Sequence, residues 1–243
     1  MEIKTGFTAY DGKYYPNVRT INFLNAEDLR NYRGSFINET KVEPNSFFGG
    51  SQSETTGVYI FKSLLDDKKA FRIYKDWSNN VFCNVEQHTM DVKMISNLSE
   101  KQKEIELTEF PTGLITLNGN TIGQEIPLYM NSITFAESIE NLNKEEIIKI
   151  YLKILTILKE LVQHNIIYSD VHAKNFMLVD DLVRLIDFDP FYITFNMTLY
   201  KYMITNLKAM LNVISNYKNI DLYFDKELTI DDIEETILTK TLK

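Results

Sequence analysis

Residues Ile166–Pro190 read I-I-Y-S-D-V-H-A-K-N-F-M-L-V-D-D-L-V-R-L-I-D-F-D-P, and the rest of the chain is read outward from them. Two short apolar runs, Phe176–Val179 and Leu182–Ile186, flank Asp180-Asp181, the pattern of a small hairpin closed by an acidic turn. Polar residues gather just outside both ends: Asp170, His172 and Asn175 before the hairpin, Asp187 and Asp189 after it. Closing the hairpin carries Asp170, Asn175 and Asp187 into one small volume. Two carboxylates and an amide oxygen form an all-oxygen set, which suits Mg²⁺ rather than zinc.

An Asp with an Asn five positions on, then a hairpin, then an apolar strand entering Asp-Phe, resembles the catalytic core of the protein-kinase-like phosphotransferases. The resemblance implies that Asp170 is the base, Asn175 the second metal ligand and Asp187-Phe188 the start of the Asp-Phe-Gly element. Tyr168 and Ser169 stand where His and Arg usually precede the Asp, and Asp189 replaces the Gly. The D-V-H-A-K-N spacing with I-D-F-D also resembles the aminoglycoside and choline phosphotransferase branch, whose loop has a His two residues after the Asp. The plain alternative is a surface hairpin with acidic ends. A helix before the loop and an apolar strand entering Asp-Phe make the phosphotransferase resemblance the more specific reading.

Composition bounds the rest. The 243 residues suffice for one large domain or two small lobes with a sizeable core. The hydrophobic fraction of 44% and charged fraction of 25% are those of an ordinary soluble protein. A net charge of −8 argues against a broad nucleic-acid or anionic-membrane surface. Cys83 is the single cysteine, which excludes an internal disulfide and fits a reducing compartment. The start M-E-I-K-T-G-F-T-A-Y lacks a basic stretch followed by an apolar run, so no signal peptide is evident. The apolar stretch Ile147–Ile167 carries Lys149, Lys153, Lys159 and Glu160, too many charges for a membrane span. A cytoplasmic protein is expected.

Taken in order, residues 1–44 are polar and aromatic and show no catalytic cluster; they read as an extension packed on a small lobe, or as one that binds a partner. Asn25 with Asp28 three residues later signals a helix start. Residues 45–128 read as the small lobe, with a sheet of about five antiparallel strands and one helix. Gly49, Gly50 and Gly57 bracket a polar tip before the strand Val58–Phe61, where a missing Cβ lets backbone N–H groups approach phosphates. By position this resembles the kinase glycine-rich loop without its G-x-G-x-x-G spacing; an ordinary hairpin turn is the alternative. In Lys69–Tyr74, alternation puts Ala70 and Arg72 on one face and Phe71 and Ile73 on the other. The resemblance places Ala70 against adenine and Arg72 on the phosphates where the family has Lys; Lys75 reaches that face only through a bulge. Val81–Leu98 reads as a helix, with Glu86 as the family's partner for the strand cation or as a solvated charge. Leu107–Thr116 and Ile122–Met130 read as strands around L-N-G-N. In the family the second leads to the adenine-binding hinge, here residues 125–130 with Glu125 and Leu128.

Residues 129–243 read as a helical lobe. Asn143–His164 is a buried helix with a capping box at Asn143 and Glu146, and helices follow over 191–218 and 230–242. No Ala-Pro-Glu triplet appears, so this lobe is short for a protein kinase. The resemblance implies an α+β, two-lobed protein-kinase-like fold and transfer of the γ-phosphoryl group from ATP, with Mg²⁺, to a hydroxyl. A protein Ser/Thr is the first acceptor expected and a small-molecule alcohol the alternative. A pseudokinase scaffold that binds nucleotide or a partner is the competing class, because Arg72, the glycine spacing and Tyr168-Ser169 all depart from pattern. Lys174 would touch the γ-phosphate, or is a solvated loop lysine. Asp189 would be a third metal ligand beside Asn175 and Asp187, or a turn residue. His172 reads as a hydrogen-bonded residue of the loop rather than a second base, since Asp170 already fills that role.

Overall fold

The computed structural model describes residues 1–9, 11–39, 58–74, 85–188, 191–225 and 227–241. Its strands and helices follow in the order β1 (Glu2–Thr8), β2 (Tyr14–Phe23), α1 (Ala26–Tyr32), β3 (Arg33–Glu39), β4 (Val58–Ser63), β5 (Lys69–Tyr74), α2 (Val85–Lys101), β6 (Gly113–Leu117) and β7 (Asn120–Pro127). Then come β8 (Ile133–Thr134), α3 (Phe135–Ser138), α4 (Lys144–Gln163), β9 (Ile167–Tyr168), β10 (Phe176–Val179), β11 (Leu182–Leu185), β12 (Phe191–Tyr192), α5 (Met197–Tyr217) and α6 (Ile230–Thr241). The described residues divide into two compact units. Those within 1–103 and 109–129 form the first, and 104–108 with 130–241 form the second.

The first unit is one sheet of seven strands in the order β1-β2-β6-β7-β5-β4-β3. All neighbours are antiparallel except β2 and β6, which run parallel with Ile21 beside Ile115. One face packs on α1 through Leu29 against Ile21, Phe23, Phe71, Ile73, Ile115 and Ile122. The other packs on α2 through Val92 and Ile95 against Tyr15, Val18 and Leu114. Asn25 caps α1 by accepting the Asp28 N–H at 2.8 Å. Two differences from the sequence reading stand out: the sheet has seven strands rather than about five, and the unit has two helices rather than one. Both come from residues 2–39, which supply β1, β2, β3 and α1 and therefore lie within the sheet.

At the β6–β7 turn, Asn118 and Gly119 both have positive φ, 50° and 82°, the backbone of a two-residue hairpin turn. β6 begins at Gly113 rather than near Leu107 because the preceding backbone bonds elsewhere: the Glu160 carboxylate accepts the Glu106 and Leu107 N–H groups at 2.9 and 3.0 Å. Pro111 has no N–H to offer a ladder.

The second unit is organised around α4. Asn143 and Glu146 form the expected reciprocal capping box, and Ile147, Ile150, Tyr151, Ile154, Leu155, Ile157, Leu158 and Leu161 are buried. The Tyr151 hydroxyl lies 3.3 Å from both Ser215 Oγ and the Leu211 carbonyl of α5, and burial pushes its phenol well above the ordinary range. Lys159 sits between Asp231 and Glu234, at 2.6 and 2.5 Å, joining α4 to α6. Among the described residues no helix is long and apolar enough to cross a membrane.

Candidate active site

Helix α4 ends in a tight turn: Asn165 takes a left-handed conformation, φ 60°, and the Ile166 N–H donates back to Leu161 O at 2.8 Å. This reversal sends the chain into β9, which pairs antiparallel with β12, Tyr168 opposite Phe191. The next loop is pinned from below, where Asn206 of α5 donates to the Ser169 carbonyl at 2.7 Å. A 3-10 turn over Ala173–Asn175 then leads into the β10–β11 hairpin, whose register sets Phe176 opposite Leu185. Asp180 at its tip has φ 52°, a conformation that Asp tolerates better than most residues.

This path brings the loop residues together. The Asn175 amide nitrogen donates to the Asp170 carbonyl at 3.0 Å, to the Asp170 carboxylate at 3.3 Å and to the Tyr168 hydroxyl at 2.5 Å. His172 Nε2 lies 3.1 Å from the same Asp170 oxygen. The Ile186 N–H donates to the Asn175 carbonyl at 3.1 Å, which sets the chain entering Asp187 alongside Asn175. Asp170 is partly exposed, whereas Asn175 is buried. The His172 hydrogen bond and charge, with a smaller contribution from Asn175, hold the Asp170 carboxyl below the usual carboxylate range against the opposing pull of burial. Phe188 is buried and stacks on Phe191 at 5.6 Å, and Phe191 packs on Tyr168 at 5.0 Å. Lys174 is exposed.

In the first unit, Ala70 is fully buried and Arg72 is half-buried. Arg72 is registered with Gln124, and Gln124 with Leu114, so Arg72 and Ala70 share the α2 face of the sheet. The Arg72 guanidinium stands 5.7 Å from the centre of the Tyr74 ring. Glu125 and Leu128 are bonded within this unit. The buried Glu125 carboxylate pairs with Arg19 and accepts the Thr112 hydroxyl at 2.6 Å; its carbonyl accepts the Thr112 N–H. The Leu128 N–H donates to Lys68 O at 2.9 Å. Glu86 lies in α2. Gly49, Gly50, Gly57, Lys75, Cys83 and Asp189 lie outside the described residues. Sequence reading missed Tyr168 and Arg19 as partners, and only Tyr168, standing where the family has a His, carried a local signal.

The donor set can be tested against Mg²⁺. Among the described residues no three His, Cys, Asp or Glu side chains converge as a metal-binding group. Mg²⁺ does not need such a cage, because it commonly takes one or two carboxylates and fills its octahedron with water and phosphate oxygens. Among the described residues, the hydrogen bonds of the Asn175 side chain run through its nitrogen, which leaves the amide oxygen for a hard cation. An amide oxygen at Asn175 and a carboxylate at Asp187 are donors of the hard-oxygen kind that Mg²⁺ takes.

No protein-family model matches the chain, and no curated protein matches it in sequence. Solved structures do match. A Rio2 kinase–ADP/Mg²⁺–phosphoaspartate complex from Chaetomium thermophilum superposes with a TM-score of 0.50 at 11% identity, covering 79% of this chain and 60% of that one. The chain thus spans about three fifths of that kinase's length. At this identity the likeness speaks for the fold alone: the chain has a mixed α+β, protein-kinase-like fold.

Proposed function

We propose that the chain is an ATP- and Mg²⁺-dependent phosphotransferase that moves the γ-phosphoryl group onto a hydroxyl, with a protein Ser/Thr as the acceptor. The observation that supports this most is the bond from Asn175 to Asp170, together with the ladder bond that sets Asp187 alongside. The similar structure is described as holding ADP and Mg²⁺, which agrees with such a ligand set.

Phosphoryl transfer asks a protein mainly for positioning and charge neutralisation. Asp170, held ionised by His172, orients the acceptor hydroxyl and takes its proton as the new O–P bond forms and the bond to the departing ADP breaks. Asn175 and Asp187, with Asp189 as a further ligand, would hold Mg²⁺, which would neutralise phosphate charge. Arg72 meets the phosphates and Lys174 the γ-phosphate, while Ala70, the sequence's candidate for adenine, is fully buried and offers it no open surface. A small-molecule alcohol is the second acceptor class, favoured by the direct contact of His172 with Asp170 in the D-x-H spacing. A catalytically silent scaffold is the competing reading, favoured by an Arg at position 72.

The test is incubation of purified protein with γ-labelled ATP and Mg²⁺, alone, with a generic protein and with an alcohol panel. Label on protein Ser/Thr supports the first reading, and label on an alcohol selects the second. Nucleotide binding without transfer to any acceptor selects the scaffold.

A further inference from the structure

Tyr168 is fully buried, yet its hydroxyl reaches the Asn175 side chain. The Asp170 carbonyl can only accept a hydrogen bond, so the Asn175 atom 3.0 Å from it is the amide nitrogen rather than the oxygen. That nitrogen has two hydrogens. One serves Asp170 and the other the Tyr168 hydroxyl, which leaves the amide a single orientation with its oxygen turned away from both. The ring of Tyr168 is itself fixed, edge-on to Phe176 at 6.5 Å and packed on Phe191 at 5.0 Å, with its backbone laddered to Phe191. Phe191 in turn stacks on Phe188, the neighbour of Asp187.

From this arrangement we infer that Tyr168 is the positioning residue of the metal site: its hydroxyl holds the Asn175 amide nitrogen so that the oxygen would be left to a cation, and its ring ties that setting through Phe191 to Phe188, the neighbour of Asp187. The inference rests on the phosphotransferase reading for the cation, but the orientation of Asn175 stands apart from it. Groups that orient a ligand are typically worth about 10–100-fold in metal affinity. Tyr168→Phe keeps the ring and removes only the hydroxyl.

Two measurements on the full chain decide the matter. In nuclear magnetic resonance of wild-type protein, the Asn175 side-chain NH₂ is expected to exchange slowly with solvent, and in Tyr168→Phe at least tenfold faster while the fold is kept. In a titration of Mg²⁺ against binding of a fluorescent ATP analogue, Tyr168→Phe shifts the Mg²⁺ midpoint upward by about 10-fold or more, with binding in EDTA unchanged. An Asn175 amide that exchanges fast in wild type, or an exchange rate or Mg²⁺ midpoint equal in the two proteins, overturns the assignment. If wild type binds no nucleotide at all, the phosphotransferase reading falls, and the exchange measurement alone still decides the positioning role.

Discussion

A carboxylate works as a base only where it is ionised and aimed, and at Asp170 His172 and Asn175 provide both conditions. Asp170→Asn is therefore expected to bind MgATP like wild type and to lose about 10²–10⁴-fold in turnover, the usual worth of a positioned base; wild-type turnover would remove Asp170 from the mechanism. Arg72 carries a second prediction. It shares a sheet face with Ala70, so Arg72→Ala should weaken ATP binding by about 1–3 kcal/mol, the worth of a charge-assisted contact. Arg72→Lys should be tolerated. Calorimetric titration checks both, and a silent Arg72→Ala beside a damaging Lys75→Ala would show that the cation is Lys75. At this scale the Asp170–Asn175 contact was legible because the two residues lie five positions apart in one loop. The Arg19–Glu125 pair joins residues 106 apart, a relation that no local pattern carries.

Among the elements, β7 pairs with β5 and at Gly123 leaves no room for a side chain. A Cβ on Gly123 would fall 2.0 Å from the Arg72 carbonyl oxygen. Gly123→Ala should therefore destabilise the fold by roughly 1–3 kcal/mol or more, as overpacking does, and lower ATP affinity by displacing Arg72; urea unfolding reads the first effect. Glu160 ties the segment before β6 to α4 through two backbone N–H groups. Glu160→Ala should cost about 1–3 kcal/mol by the same measurement, since it leaves two donors without their charged acceptor. A pH prediction attaches to α6. The Thr229 backbone N–H and hydroxyl both donate to Asp232 at 2.7 Å and hold its carboxyl below the usual range. A folded-state value below the unfolded one means that this contribution is present above the unfolded value and is lost as pH falls through the folded one. The melting-temperature gap between wild type and Asp232→Ala should therefore be open at neutral pH and close in acid below the ordinary carboxylate range; a gap that widens in acid contradicts the assignment. The helices were legible from their caps, with Asn25 and Asn143 marking α1 and α4. The strands of residues 2–39 were not. β1 shows mostly exposed residues, and β2 meets its parallel neighbour β6 only across some 90 residues of intervening chain, so the one local signal was the Asp11-Gly12 turn that joins β1 to β2, with Gly12 at φ 78°.

For the whole molecule, the kinase-like fold was readable because one loop-hairpin stretch carries a motif spacing that matches the topology of its unit. The sheet of the other unit was readable only in part, since three of its seven strands come from residues whose pairing is long-range or at an edge. Asp170, Asn175 and Asp187 are proposed to form one nucleotide–metal centre with separable roles. Calorimetric titration of ATP into wild type, Asp170→Asn and Asp187→Asn, each with Mg²⁺ and with EDTA, tests it most directly. Mg²⁺-dependent binding is expected in wild type and in Asp170→Asn, and none in Asp187→Asn. Equal Mg²⁺-dependent binding by wild type and Asp187→Asn, or no binding by wild type, would contradict it.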